Sequence, residues 1–134
     1  MNAKHYVAAL LFSLVTGCAN RYRFETEAPN YAGQAELTVR VNKTELRELT
    51  MQLEHLAPPR RIDPSLKGYV AWISVPGHGI AKLGRIEYDE KKRKGSLVAT
   101  SAFDKFEVLV TLESDLSSDT PSDRVVLRRV VGKG

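Results

Sequence analysis

From Gln34 onward, apolar residues recur at every second position, and that alternation restricts most of the chain to half-buried β-strands. Ala35, Leu37, Val39 and Val41 alternate with Glu36, Thr38 and Arg40. Phe106, Val108, Val110 and Leu112 alternate with Glu107, Leu109, Thr111 and Glu113. Ser96 to Phe103 forms a strand with Leu97, Ala99 and Phe103 on one face, and Arg124 to Val131 (RVVLRRVV) forms the last strand. Gly68 to Val75 (GYVAWISV) is apolar on both faces, as in a central strand. Gly77-His78-Gly79 signals a turn into a strand over Ile80 to Tyr88. Asp89 to Gly95 (DEKKRKG) and Leu116 to Asp123 (LSSDTPSD) are polar loops.

Lys43 to Leu56 fits two readings. Leu46, Leu49, Leu53 and Leu56 have helical spacing, and Asn42 with Glu45 would cap such a helix. Its Glu, Leu, Lys, Arg and Gln content also favours helix. The competing strand runs through Leu49, Met51 and Leu53, and the strands on either side favour it, because sequential strands usually pair. The count is then about seven strands at the spacing of an all-β sandwich, and the expected fold is a single immunoglobulin-like β-sandwich. A length of 134 residues with 43% hydrophobic content holds one modest domain. The single cysteine excludes a disulfide framework within the chain.

The N-terminus has a different composition. Met1 to His5 carry Lys4 and no acid, and Tyr6 to Val15 (YVAALLFSLV) are apolar apart from one serine. Ten helical residues reach about 15 Å, half of a bilayer's hydrocarbon core, so the run is a signal-peptide core and not a spanning helix. It ends in Leu14-Val15-Thr16-Gly17-Cys18, which resembles the lipobox of bacterial lipoproteins. The resemblance implies that signal peptidase recognises Leu14, Val15, Thr16 and Gly17. It also implies that the Cys18 thiol receives diacylglycerol and that Cys18 begins the mature chain. Ala19, where an inner-membrane retention signal would place Asp, leans the expected location to the periplasmic side of the outer membrane. The outer face of the inner membrane is the alternative.

Three segments are therefore expected: a lipoprotein signal peptide over 1–17, the lipidated Cys18 with a tether over 18–33, and the β-sandwich over 34–134. Ala19 to Gly33 mixes Arg21, Arg23, Glu25, Glu27 and Pro29 without sustained periodicity, although Tyr22 and Phe24 alternate and would pack locally on the domain.

From Tyr69 the order of short motifs is familiar. Tyr69-x-x-Trp72, Leu83-Gly84-Arg85-Ile86, Gly95-Ser96-Leu97, Val108 to Glu113, Thr120-Pro121 and Val125-Val126-Leu127 follow one another. The series resembles the extracytoplasmic C-terminal domain of the anti-sigma-K-factor family over about Leu53 to Leu127. The resemblance implies a β-sandwich-like fold. It does not carry over sigma-factor binding. That family's cytoplasmic region and transmembrane helix have no counterpart here, and Ser114 to Asp119 replaces its Gly-Gly-Ser stretch.

Candidate chemistry is sparse. His55 and His78 are the histidines beyond the signal peptide, and Ser74 and Ser96 lie in no nucleophile elbow. No catalytic residue, metal ligand or cofactor is expected. His78, between two glycines, reads as a solvated turn residue. Trp72 with Val70 is expected to centre the sandwich core. Tyr69, Ala71 and Ile73 would then face the other way, as a patch or under the tether. Arg124, Arg128 and Arg129 would blunt an edge strand. Lys91, Lys92, Arg93 and Lys94 would either be solvated or contact an anionic surface, lipid head groups or polysaccharide. Nucleic acid is not expected, because a charge of +4 is mild and no aromatics interleave the basic run. The expected function is a non-catalytic adaptor or structural module of the cell envelope. Its partners would be membrane lipid through Cys18 and an envelope protein or polysaccharide. The alternatives are an outer sensor of an envelope signalling system and, third, an envelope hydrolase.

Overall fold

Two antiparallel sheets face each other across one apolar layer in the computed structural model, which describes residues 19–26 and 33–132. The strands are β1 (Asn20–Glu25), β2 (Gln34–Val41), β3 (Arg47–Glu54), β4 (Gly68–Val75), β5 (Gly79–Arg85), β6 (Glu87–Asp89), β7 (Lys94–Ser101), β8 (Phe106–Glu113) and β9 (Val125–Val131), with one short helix, α1 (Pro59–Ile62). The five-stranded sheet has the order β1-β2-β3-β7-β6, and the four-stranded sheet β5-β4-β8-β9. Strands β2-β3-β7-β6 and β4-β8-β9 reproduce the A-B-E-D and C-F-G connectivity of immunoglobulin domains. The expected sandwich is present, with β5 added beside β4 and β1 added outside β2.

Alternation places the core. Leu37 of β2 lies opposite Met51 of β3, and Ala71 of β4 lies opposite Val110 of β8. All four are buried with Leu49, Leu53, Tyr69, Ile73, Phe106, Val108, Leu112 and Leu127. The outward partners on β2 and β3, among them Glu36, Thr38, Glu48 and Gln52, leave the outer face of the five-stranded sheet polar.

Several sequence expectations are corrected. The stretch expected as a tether contains β1, which pairs with β2 from Asn20↔Val39 to Glu25↔Gln34. Tyr22 and Phe24 pack on the core edge while Arg21, Arg23 and Glu25 face out, so the two-residue alternation wins over the loop-like composition. The ambiguous segment is strand β3, the reading that its neighbouring strands favour, and the Asn42 capping chemistry closes a hairpin instead of starting a helix. Asn42 Oδ1 accepts the Thr44 N–H at 2.9 Å and the Leu46 N–H at 3.1 Å, and Glu45 takes a positive φ of 62°.

The expected strand Ile80–Tyr88 is two strands in different sheets. A bulge between Ala71 and Trp72 of β4 takes up an extra residue of β5. The Ile86 N–H still donates to the Tyr69 carbonyl at 2.9 Å, but Glu87 already pairs with Ser96 of β7. The chain thus changes sheets at buried Ile86, as strands do at sandwich corners. Strand β7 ends at Ser101, so Phe103 leaves the expected strand face and is exposed on the following loop.

Trp72 lies on the opposite face from the one expected. Tyr69, Ala71, Ile73 and Val75 line the main core, while Val70, Trp72 and Leu109 form a second buried cluster on the outer face of the four-stranded sheet. Both faces of β4 are apolar, so only pairing with β8, whose Val108, Val110 and Leu112 point inward, decides the side. Leu116 and Val125 cover the second cluster. Its polar groups are joined in series. Trp72 Nε1–H donates to Thr111 Oγ1 at 2.8 Å, the Thr111 hydroxyl donates to Glu113 Oε2, and the Ser122 N–H donates to the same oxygen at 2.8 Å. Lys82 Nζ lies 5.6 Å from the Trp72 ring centroid and donates to the Leu116 and Ser118 carbonyls at 2.7 and 2.8 Å.

Candidate functional site

The sandwich has two distinct ends. At one end lie the start of β1, the β2–β3 and β4–β5 turns, the β7–β8 loop and the close of β9. At the other lie the β3–β4 connection with α1, the β6–β7 turn and the β8–β9 loop. Strands of eight residues separate the two by about 25 Å.

The basic run Lys91–Lys94 lies at the second end, on the β6–β7 turn. Asp89 Oδ1 shapes the turn by accepting the N–H groups of Lys91 and Lys92 at 3.0 and 3.2 Å. Arg93 adopts a positive φ of 53°, and its carbonyl accepts the Leu56 N–H at 3.0 Å. Lys94 turns back to Glu54, 3.6 Å away on β3, which leaves Lys91, Lys92 and Arg93 as the exposed cations of the turn itself.

Two tyrosines seat the neighbouring segment. The Tyr88 hydroxyl donates to the Leu56 carbonyl at 2.7 Å and the Tyr69 hydroxyl to the Ala57 carbonyl. Their rings meet edge to face with centroids 5.5 Å apart. Buried Pro58 and Pro59 follow, and a proline in the first turn starts α1, which carries exposed Arg60 and Arg61. Burial pushes the Tyr88 phenol above its ordinary range. The Arg93 and Arg61 guanidinium groups draw it back, while Glu90 and Asp89 add to the rise. The Leu56 N–H bond to the Arg93 carbonyl and the Tyr88 bond to the Leu56 carbonyl tie the segment leading into α1 to the β6–β7 turn, so the helix cations and the turn cations lie at the same end of the sandwich. A groove of about 500 Å³ runs beside the turn, lined by Lys92, Lys94, Glu54, Glu87 and Asp89. Hydrogen bonds from Ser65 hold the nearby Asp63 carboxyl below the usual carboxylate range, and Arg124, 3.1 Å away, adds to that shift.

The other singled-out residues are dispersed. His55 follows β3 at the basic end, whereas His78 sits on the β4–β5 turn at the opposite end. Ser74 and Ser96 belong to different sheets. The expected edge arginines do not act alike. Arg124 pairs with Asp63, Arg128 lies 3.4 Å from Glu107, and Arg129 lies 5.5 Å over the Tyr22 ring, covering the gap between edge strands β9 and β1. Leu14, Val15, Thr16, Gly17 and Cys18 lie outside the described residues. The described residues contain no group of three or more His, Cys, Asp and Glu side chains placed to hold a metal ion, and no helix long and apolar enough to cross a membrane. Sequence reasoning missed Arg60 and Arg61. The Pro58-Pro59 pair signals a helix start, but its position at the same end as the basic turn comes from the Tyr69, Tyr88 and Arg93 contacts to residues 56 and 57.

Comparison with family models, curated proteins and solved structures finds no significant match for this chain.

Proposed function

We propose that this protein is a lipid-anchored, non-catalytic binding module of a bacterial cell envelope, held through Cys18 and favouring the periplasmic side of the outer membrane. The observation that carries the reading is Leu14-Val15-Thr16-Gly17-Cys18 directly behind a basic start and an apolar run of signal-peptide length. Acyl chains on Cys18 attach durably because each buried methylene contributes about 0.8 kcal/mol and two or more chains act together. The expected result is incorporation of an alkyne-tagged palmitate into the wild-type protein and its recovery with membranes. Cys18→Ala removes both signals. A Cys18→Ala protein that stays in the membrane fraction refutes the anchor.

The binding end in this proposal carries Lys91, Lys92 and Arg93 with Arg60 and Arg61. It lies about 25 Å from the first residue of β1, one strand length away. Its chemistry suits an anionic polysaccharide or an acidic protein surface displayed away from the anchoring bilayer. In-cell crosslinking is expected to give a discrete adduct with the wild-type protein and to lose it in Lys91→Glu/Arg93→Glu. Both positions are exposed, so that variant is expected to fold. An unchanged adduct moves the binding surface elsewhere.

A further inference from the structure

We infer that the end of the sandwich where β1 begins rests on the bilayer that holds Cys18, through a rim of exposed apolar side chains. The inference builds on the lipid-anchor reading and adds an orientation and a second, non-covalent contact.

The large hydrophobic side chains exposed among the described residues are Val41 at 52%, Ile80 at 49%, Val98 at 64%, Phe103 at 37% and Val130 at 54%. Scattered exposed apolar residues are ordinary, but a group gathered at one place marks a contact surface. Val98 lies mid-strand, opposite Thr50. The others sit at a single end. Val41 closes β2 opposite Arg47. Ile80 faces Ser74, Ser74 faces Glu107, and Glu107 faces Val130, so Ile80 and Val130 terminate one row across the four-stranded sheet near its last turns. Phe103 projects from the β7–β8 loop, its ring 5.0 Å from that of His78. The rim therefore includes both sheets and the loop joining them.

The same end receives the anchor. Asn20 of β1 pairs with Val39, and Ala19 is the one residue between it and Cys18. A residue spans at most about 3.6 Å, so acyl chains on Cys18 hold this end within the interfacial layer of the membrane. Lys43 on the β2–β3 turn and Lys105 on the β7–β8 loop are exposed there and attract anionic head groups. Of the acids nearby, Asp104 is paired with Arg47 and Glu107 with Arg128, while Glu45 is exposed on the turn. The bilayer is the occupant that a one-residue link favours, since another partner would have to enter between the domain and the lipid.

The test uses the full-length lipidated protein in phosphatidylethanolamine–phosphatidylglycerol vesicles. Spin labels are attached at Ile80→Cys, Phe103→Cys or Asp119→Cys, with Cys18 itself blocked by its thioether. The expected result is several-fold lower collision with a water-soluble nickel complex, and higher collision with oxygen, at 80 and 103 than at 119. Equal, water-like accessibility at all three positions overturns the inference. Protection of 80 and 103 that persists in lipid-free detergent micelles and scales with protein concentration also overturns it, by assigning the rim to a second copy. Mass spectrometry of the acylated chain separates the two readings. An unmodified Cys18 refutes the anchor, whereas an acylated protein with water-exposed labels refutes the docked end alone.

Discussion

Trp72→Ala is expected to destabilise the domain by about 3–5 kcal/mol, the range for emptying a large aromatic site. Trp72 is fully buried, yet it lies outside the layer between the sheets. Its removal leaves a cavity under the β8–β9 loop, and Lys82 loses the ring beneath its ammonium group while still tied to the Leu116 and Ser118 carbonyls. Domains of this size are stable by about 5–15 kcal/mol, so the loss is a large fraction of the total. Denaturant unfolding followed by circular dichroism measures the loss. The wild type can also be followed by fluorescence, since Trp72 is its single tryptophan. A loss under about 1 kcal/mol would mean that the loop collapses to fill the site and that the second cluster contributes little.

Thr111→Val is the second large effect, with an expected cost of about 2–3 kcal/mol despite the near-equal volume of the two side chains. The Thr111 hydroxyl accepts from Trp72 and donates to Glu113, so one substitution strands a buried indole N–H and strips a buried carboxylate of a donor. Ser122 still serves Glu113, which keeps the cost below that of an isolated buried charge. Combined with Trp72→Phe, the cycle should show coupling of about 0.5–3 kcal/mol. Strict additivity would show that the hydroxyl does not link the two groups.

Much of the fold is legible in the alternation of single strands. Strands β2, β4 and β8 match their sequence-predicted limits because one residue in two changes face and the flanking turns carry Gly, Asn or Asp. What escapes the alternation is relational. The period of two is blind to which sheet a strand belongs to, so the crossing at Ile86 hides inside an uninterrupted pattern. It is equally blind to side where both faces are apolar, which is why Trp72 and Tyr69 exchange their expected places. Strand β1 carries its alternation in Tyr22 and Phe24, but its pairing with β2 is not local. The candidate site divides in the same way. The turn Lys91–Lys94 is visible as a charge run between strands, whereas its neighbours Arg60 and Arg61 arrive through the hydroxyl contacts of Tyr69 and Tyr88.

The direction of β1 has a mechanical consequence. The strand starts at the end of the sandwich closest to Cys18 in the chain and runs toward the basic end, antiparallel to β2 through six residue pairs. A ligand gripped at the far end and lipid gripping Cys18 would pull along the strand axis. The ladder bonds lie across that axis, so tension shears all the pairs together instead of peeling them one by one. If Cys18 is anchored as proposed, a module strained between a membrane and a fixed partner would therefore resist at its first strand.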